Sequence, residues 1–201
     1  MATLTAPAGS RGLGTLTLAE ARLFLRDFGS WFFALLFPTV LMLGIGLVIP
    51  GMREVITDAP PPWTGMEVVH TFTPVALATA MGTVALVTLP VYIADYRANG
   101  VLRRLSTTPM RPQGVLVAHV VINIVAVVVA SALAITAALV VFGSPMPQQP
   151  LLAVGAFILG AAAMFGIGLL IAALAPKGSA ASGIGMLVYF PMLFLDRKSV
   201  V

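Results

Sequence analysis

The segment "VLVAHVVINIVAVVVASALAITAALVVF", residues 115–142, contains no Asp, Glu, Lys or Arg. A helix needs about 20 consecutive, mainly apolar residues to cross a bilayer, and this segment exceeds that length. Three more uncharged apolar runs are long enough, at residues 31–49, 72–94 and 151–175, and a shorter fifth run covers residues 180–195. The sequence therefore predicts an all-α, polytopic membrane helix bundle with five spans.

The composition agrees with a bilayer location and excludes several classes of protein. Of the 201 residues, 59% are hydrophobic and only 9% are charged, whereas soluble domains carry about 25% charged residues. The net charge of +4 is small and lies in segments beside the apolar runs, so we expect no nucleic-acid partner. The absence of cysteine excludes disulfides, thiolate metal ligands and cysteine nucleophiles. The N-terminus lacks the pattern of a cleaved signal peptide.

The distribution of basic residues predicts the orientation of the chain. Basic residues precede the first apolar run and follow the second and fourth, at Arg11, Arg22, Arg26, Arg97, Arg103, Arg104, Arg111 and Lys177. The connection at 50–71 instead has one Arg against three acids, and the connection at 143–150 has no charge. Because cytoplasmic loops carry the excess of Lys and Arg, we predict a cytoplasmic N-terminus in the cell inner (plasma) membrane.

The stretch "YRANGVLRRLSTTPMRP", residues 96–112, is basic and has an internal pattern. Gly100 permits a sharp turn, and Pro109 ends the short helix that follows, because the residue before a proline disfavours helical geometry. The apolar edge of this predicted helix consists of Val101, Leu102 and Leu105. A helix with one apolar and one basic edge is typical of a segment that docks on another protein. The alternative is that the arginines only set the topology.

The N-terminal segment predicts a flexible tail over residues 1–14 and an amphipathic helix over residues 15–29. Thr17 and Glu20 match a capping box at a helix start. One face of the helix holds Leu18, Ala21, Leu25 and Phe28, and the other holds Glu20, Arg22, Arg26 and Asp27. Such a helix directly before a span is expected to lie in the plane of the cytoplasmic membrane interface. The alternative is a solvated lead-in to the first span.

The sequence lacks the patterns of nucleotide, metal and ion-coupling sites. No GxxxxGK[ST] motif is present, so we predict no nucleotide site, no catalytic residues and no enzymatic activity in this chain. The two histidines, His70 and His119, form no metal-site pattern, and we expect no bound metal or cofactor. The apolar runs carry no ionisable residue at mid-membrane, which disfavours ion-coupled secondary transport.

His119 and Asn123 are polar residues inside the run at 115–142. Their spacing of four residues places them on one face of a helix. Either they touch a substrate along a transport path, or they hydrogen-bond a neighbouring helix, as polar residues in membrane bundles commonly do.

Prolines and small residues indicate how the spans pack. Pro38 and Pro90 are expected to kink the first and second spans. Pairs of small residues at four-residue spacing favour close helix approach. These pairs are Ala156/Gly160, Ala162/Gly166 and Ala181/Gly185.

The end of the sequence, "DRKSVV" at residues 196–201, departs from the alternation of charges. A tail after a fifth span is expected outside, yet this one is basic. The same six residues are what a common sequencing adapter encodes in one reading frame. We therefore expect a non-native tail on a truncated gene, and codons unlike the adapter would contradict that expectation.

The stretch at 96–112 resembles the first cytoplasmic loop of ABC-2 type exporter permeases, the group that includes the daunorubicin-resistance permeases. That loop reads acid-Arg-acid-x-Gly-Thr-Leu, then x-Arg-Leu, then Thr-Pro with a basic residue shortly after. The matching positions here are Arg97, Gly100, Leu102, Arg104, Leu105, Thr108, Pro109 and Arg111. Tyr96 and Ala98 stand where the pattern has acids. The segment at 173–195 also resembles the family's turn between the fourth and fifth spans.

The resemblance implies an ABC-2 type transmembrane domain over residues 15–195, with five spans present of six. It implies that the loop helix is a coupling helix, which contacts a separate ATP-binding-cassette ATPase that binds ATP and Mg. The implied contact residues are Arg97, Gly100, Val101, Leu102, Arg104, Leu105, Pro109 and Arg111. Two permease chains, identical or paralogous, would join two ATPases in the lipid bilayer.

The leading hypothesis is therefore a permease subunit of an ATP-binding-cassette exporter that moves a lipophilic drug or lipid-like substrate outward. Two alternatives stay open. One is a transporter that works without ATP and needs a site for a coupling ion. The other is a membrane scaffold subunit that does not transport. An ATP-binding-cassette gene next to this one would favour the exporter.

Overall fold

The structure, a computed structural model, describes residues 11–57, 63–101, 112–147 and 149–195. Within these ranges the regular structure is helical, apart from an isolated bridge between Val55 and Glu67. The all-α prediction is therefore confirmed for the described chain. We number the helices α1 (Arg11–Arg26), α2 (Phe28–Val48), α3 (Val68–Ala98), α4 (Pro112–Phe142), α5 (Pro150–Leu174) and α6 (Gly178–Leu195).

Four helices are long and apolar enough to cross a membrane, and these are α2, α3, α4 and α5. They coincide with the four long apolar runs, so those four predicted spans are confirmed as candidate membrane helices. The shorter fifth run forms α6, a helix of 18 residues. A count of five spans from a total of six stays a prediction. Residues 196–201, predicted to be a non-native tail, lie outside the described residues.

The connections between helices meet at two opposite ends of the bundle. At one end α1 packs against α4, and Asp95 near the end of α3 contacts Gly178 at the start of α6. At the other end His70 Nε2 lies 3.2 Å from the Phe142 carbonyl oxygen. The described basic segments thus share one end, as the charge alternation predicts. The side of the membrane that each end faces stays a prediction.

Each of the first two spans contains a π-helical stretch that ends two residues before its proline. The stretches are Phe32–Leu36 in α2 and Thr83–Thr88 in α3. Proline has no N–H, and its ring crowds the carbonyl four residues earlier, so a wider turn accommodates Pro38 and Pro90. The Leu86 carbonyl consequently has no α-helical donor, because the residue four positions later is Pro90.

Glycines allow α5 and α6 to touch the backbone of α3 within this π-helical stretch. A Cβ added to Gly168 would collide with the Ala85 carbonyl oxygen, and one added to Gly185 would collide with the Leu86 carbonyl oxygen. Only a residue without a side chain permits such an approach. The Leu86 carbonyl that lacks an α-helical donor is therefore covered by the backbone of α6, where a weak Cα–H···O contact can form.

The small-residue pairs that were predicted to pack closely differ in outcome. Ala181 and Gly185 are buried in the contact with α3, so that prediction is confirmed. Ala162 and Gly166 are exposed, and a Cβ at Gly166 would meet open space, so no helix of the described chain packs on this pair. In the third pair only Gly160 is partly buried. No neighbouring helix of the described chain covers the exposed side of α5.

The amphipathic helix begins and ends earlier than predicted. α1 begins at Arg11, so part of the predicted tail is helical and Thr17 lies inside the helix. The capping box is therefore wrong, since Thr17 is not at a helix start. α1 ends at Arg26, and Asp27 has extended backbone geometry before α2. Residues 1–10 lie outside the described chain.

The side of α1 that faces the bundle also differs from the predicted pattern. Phe24 is buried, and Glu20 is partly buried on the same side. Leu18 and Leu25 are instead 55% and 61% exposed, as an interfacial helix in contact with lipid requires. Glu20 was predicted on the solvated face. Glu20 faces the bundle because lipid can cover the apolar face of a helix in a membrane protein. The polar face of the same helix can then pack against the other helices.

Candidate functional site

A small pocket with several polar side chains in a mainly apolar lining lies between α1, α3 and α4, at the end of the bundle where the described basic segments meet. Its volume is about 110 Å³, whereas sites for drug-sized ligands have about 300 Å³ or more. The pocket therefore suits a small chemical group. Its lining residues are Glu20, Leu23, Phe24, Asp27, Tyr92, Tyr96, His119, Ile122 and Asn123.

Glu20 is the acid that connects the three helices around the pocket. The Tyr96 hydroxyl donates a hydrogen bond to Glu20 Oε2 at 2.9 Å. His119 Nε2 lies 3.7 Å from the same oxygen, which is too long for a hydrogen bond but within ion-pair distance if the imidazole is protonated. One carboxylate from α1 thus contacts both α3 and α4.

Asp27 is the second acid of the pocket and lies at its exposed edge. The Ser30 hydroxyl donates a hydrogen bond to Asp27 Oδ2. The Tyr92 hydroxyl lies 3.1 Å from the same oxygen and 2.9 Å from Ser30 Oγ. The hydrogen bond from Ser30 lowers the pKa of Asp27, because it favours the ionised carboxylate. Asp27 is therefore negatively charged at neutral pH.

His119 and Asn123 share a buried face of α4, as their spacing predicts. They are 5% and 1% exposed. The imidazole of His119 is stacked on the Tyr92 ring, with centroids 5.5 Å apart and planes inclined by 16°, and it also contacts the Tyr96 ring at 5.0 Å. Asn123 Nδ2 donates to the His119 carbonyl oxygen at 2.8 Å. Both side chains line the pocket, and whether a substrate touches them stays a prediction.

Glu20 and the two tyrosines were not among the predicted site residues. The charge pattern placed Glu20 with the arginines of α1, and Tyr96 stood out only as a departure from the family's loop. A sequence signal for Glu20 does exist, because Glu20 and Phe24 are four residues apart and share one helical face. Nothing in the local sequence pairs that face with α3 or α4.

Asp95 and Arg97, near the end of α3, bind the turn between α5 and α6. The Arg97 guanidinium donates to the carbonyl oxygens of Ala173, at 2.8 Å, and Ala175. The Gly178 backbone N–H donates to Asp95 Oδ1 at 2.7 Å. The positive group thus meets the carbonyl end of α5 and the negative group meets the N–H end of α6, which is the favourable arrangement for helix dipoles. We call Asp95 and Arg97 the turn clamp.

We expect Asp95→Ala to lower the free energy of unfolding by about 1 kcal/mol, the usual effect of losing a helix-capping oxygen. Asp95→Asn is the matched control, because Asn keeps an oxygen that can accept from Gly178. Thermal unfolding of both variants in the same detergent measures the difference. Equal losses would contradict the capping role and indicate that only the charge at position 95 matters.

The structure describes three of the predicted coupling residues: Arg97, Gly100 and Val101. Gly100 has a φ of 66°, in the left-handed region that glycine adopts easily, so the predicted sharp turn is present. Arg97 binds carbonyls of its own chain, as described above. The remaining predicted coupling residues lie outside the described chain, namely Leu102, Arg104, Leu105, Pro109 and Arg111. Contact of this loop with an ATPase stays a prediction.

The pocket has the chemistry of a binding site for a polar group. Its polar atoms are mainly carboxylate, amide and phenol oxygens, and no Lys or Arg lines it in the described chain. Among the described residues, no group of three or more His, Asp or Glu is placed to hold a metal ion.

Four long apolar helices and a partly exposed amphipathic helix define a multi-pass membrane protein. The family model of the ABC-2 type transporter matches residues 11–196. Because this match covers most of the chain, the protein belongs to the ABC-2 type transporter membrane family. Comparison with curated proteins and comparison with solved structures gave no match. The resemblance carried by the loop is thus confirmed at the level of the family, and the daunorubicin-resistance-like subtype stays a prediction.

Proposed function

We propose that the chain is the permease subunit of an ATP-binding-cassette exporter that moves a lipophilic drug or lipid-like substrate outward. Membership of the ABC-2 type transporter family supports the permease role. ATP and Mg would bind a separate ATPase subunit, and a second permease copy, identical or paralogous, would complete the transport path. The N-terminus would be cytoplasmic, in the cell inner (plasma) membrane.

The attachment of the basic loop to three helices is the observation that carries the proposal. The loop leaves the end of α3, where the turn clamp binds the α5–α6 turn, and Gly100 then turns the chain. A force on the segment after Gly100 would therefore be transmitted to α3, α5 and α6 together. A loop joined to one helix alone could not move the bundle in this way.

The chemistry of the loop supports an ATPase as the partner. A chain without a nucleotide site needs a contact that delivers energy. Burial of Val101, Leu102 and Leu105 would anchor that contact, while the arginines would pair with acids on the ATPase or with anionic lipid. Closure of the ATPase pair on ATP would move the loop helices, and the turn clamp would pass the movement to the path between two permeases.

The uncharged spans support a lipophilic or amphipathic substrate. Within α2 to α5 the only ionisable Asp, Glu, Lys or Arg residues of the described chain are Asp95 and Arg97, at the very end of α3. A transporter driven by an ion gradient usually carries its coupling groups at mid-membrane. The described spans therefore favour ATP-driven transport over the ion-coupled alternative.

Co-expression with any ATP-binding-cassette ATPase that is encoded beside this gene tests the proposal. A tagged permease should capture the ATPase, and proteoliposomes that contain both should move a fluorescent lipophilic dye only with ATP. The matched control is an ATPase whose phosphate-loop lysine is replaced by alanine. Dye movement driven by an ion gradient without ATP would favour the non-ATP transporter, and capture without any transport would favour a scaffold.

A further inference from the structure

We infer that the pocket between α1, α3 and α4, where Glu20 and Asp27 face the buried Asn123 and His119, binds a primary ammonium group. The group would belong to a lipid headgroup or to an amphiphilic amine. This inference concerns binding by the chain itself, so it can be tested without the ATPase and fails or stands independently of ATP-driven export.

Three of the hydrogen-bond donors that line the pocket already have acceptors within the chain. The Tyr96 hydroxyl donates to Glu20, and the Tyr92 hydroxyl lies within hydrogen-bond distance of Asp27. The Asn123 amide group donates to a carbonyl of its own helix. That bond also assigns the orientation of the amide, because only the NH₂ group can serve a carbonyl.

Acceptors, by contrast, are left over in the most buried part of the pocket. Asn123 Oδ1 and His119 Nε2 are buried and have no hydrogen-bond partner among the described residues. A buried polar atom without a partner destabilises the folded protein, because it has lost its hydrogen bonds to water. His119 Nε2 lies 3.7 Å from Glu20 Oε2, and it is an acceptor when the ring hydrogen is on Nδ1. The pocket therefore favours a ligand that donates several hydrogen bonds.

The charges around the pocket favour a cation. Glu20 and Asp27 line it, and no Lys or Arg of the described chain does. The nearest arginines along α1, Arg22 and Arg26, are exposed and are not among the lining residues. The rings of Tyr92 and Tyr96 add faces that attract cations. An anion would meet two carboxylates without a compensating positive group.

The size and the apolar lining specify the rest of the ligand. A volume of about 110 Å³ holds an ammonium group with a short stem, and not a whole drug molecule. Leu23, Phe24 and Ile122 line the pocket beside the polar atoms, and Leu23 is 55% exposed. An alkyl chain can leave along this side. A primary ammonium fits better than a quaternary one, because the free acceptors require N–H donors.

Binding of octylammonium to the purified chain in phosphatidylcholine nanodiscs tests the inference. Phosphatidylcholine has no N–H donor, so it should not compete. Octan-1-ol is the neutral probe of matched length, and empty nanodiscs correct for partition into lipid. We expect saturable binding of radiolabelled octylammonium and none of octan-1-ol at the same concentration.

Glu20→Gln should weaken octylammonium binding about tenfold or more, because a hydrogen bond to a charged partner contributes about 1.5–3 kcal/mol. Glu54→Gln makes the same chemical change on an exposed acid at the opposite end of the bundle and should leave the affinity unchanged. Tyr96→Phe keeps the ring and releases the Glu20 oxygen, so its affinity should be at least that of the unmodified chain. The Tyr96 variant also tests the site if Glu20→Gln fails to fold.

The outcomes separate the sources of the ammonium group. Phosphatidylethanolamine added to the nanodiscs should displace octylammonium if the natural ligand is a lipid headgroup. Octylammonium binding that is unchanged by phosphatidylethanolamine assigns the pocket to a free amine. Equal affinities of the Glu20→Gln and Glu54→Gln variants, equal binding of octan-1-ol, or weaker binding by Tyr96→Phe would overturn the inference.

Discussion

Leu105→Asp should abolish ATP-dependent transport and leave insertion of the chain into the membrane intact. Leu105 lies on the apolar edge that the sequence predicts for the coupling helix, beside Val101 and Leu102. An unpaired carboxylate in an apolar contact costs at least about 3 kcal/mol, so the affinity for the ATPase should fall about a hundredfold or more. The readouts are the amount of ATPase captured and the rate of dye transport in proteoliposomes.

The matched control for this prediction is Thr107→Asp, which adds the same charge to the same segment. In the predicted helix Thr107 follows Leu105 by two positions, or about 200°, which places it away from the predicted apolar edge. It should retain most of the transport. Normal transport by Leu105→Asp, or equal losses in both variants, would contradict the docking role of the apolar edge.

Gly168→Leu should destabilise the bundle by about 2–3 kcal/mol or more, the range of overpacking in a tight core. A Cβ at position 168 would collide with the Ala85 carbonyl oxygen, and backbone on both sides of the contact cannot rotate away. We expect a lower unfolding temperature in detergent and a loss of transport, because α5 would separate from α3.

Gly166→Leu is the control on the same helix. Gly166 is exposed, and a Cβ there would meet open space, so the substitution should be neutral or slightly stabilising through its higher helix propensity. Both variants replace glycine by leucine on α5, so a difference in their stability measures the effect of the close contact at Gly168 alone. Equal stability of the two variants would show that α5 and α3 do not approach as described.

The spans were predictable because their signal is local. A long uncharged run such as residues 115–142 is expected to form a membrane helix whatever its neighbours are. The observed helix α4 includes the whole run. The turn at Gly100 followed from glycine, which acts on its own backbone. The family was also recognisable from the loop at 96–112, although most of that loop lies outside the described residues.

The rotation of α1 was not predictable from its sequence. In water an apolar helical face turns toward the protein, and this expectation placed Glu20 on the outside. In a membrane protein apolar faces can contact lipid as well as protein, so the pattern does not decide which side meets the bundle. The packing of Phe24 against the core and the hydrogen bond from Tyr96 show that Glu20 faces inward.

By itself the sequence determined the membrane helices, the sharing of one end by the basic segments and the common face of His119 and Asn123. Each of these depends on residues within a few turns of one another. Tertiary structure alone decided that Glu20 meets Tyr96, 76 residues away, and that the turn clamp joins α3 to the α5–α6 turn. The first contact depends on the rotation of α1. The second depends on the approach of α5 and α6 to α3, which Gly168 and Gly185 permit at the π-helical stretch before Pro90.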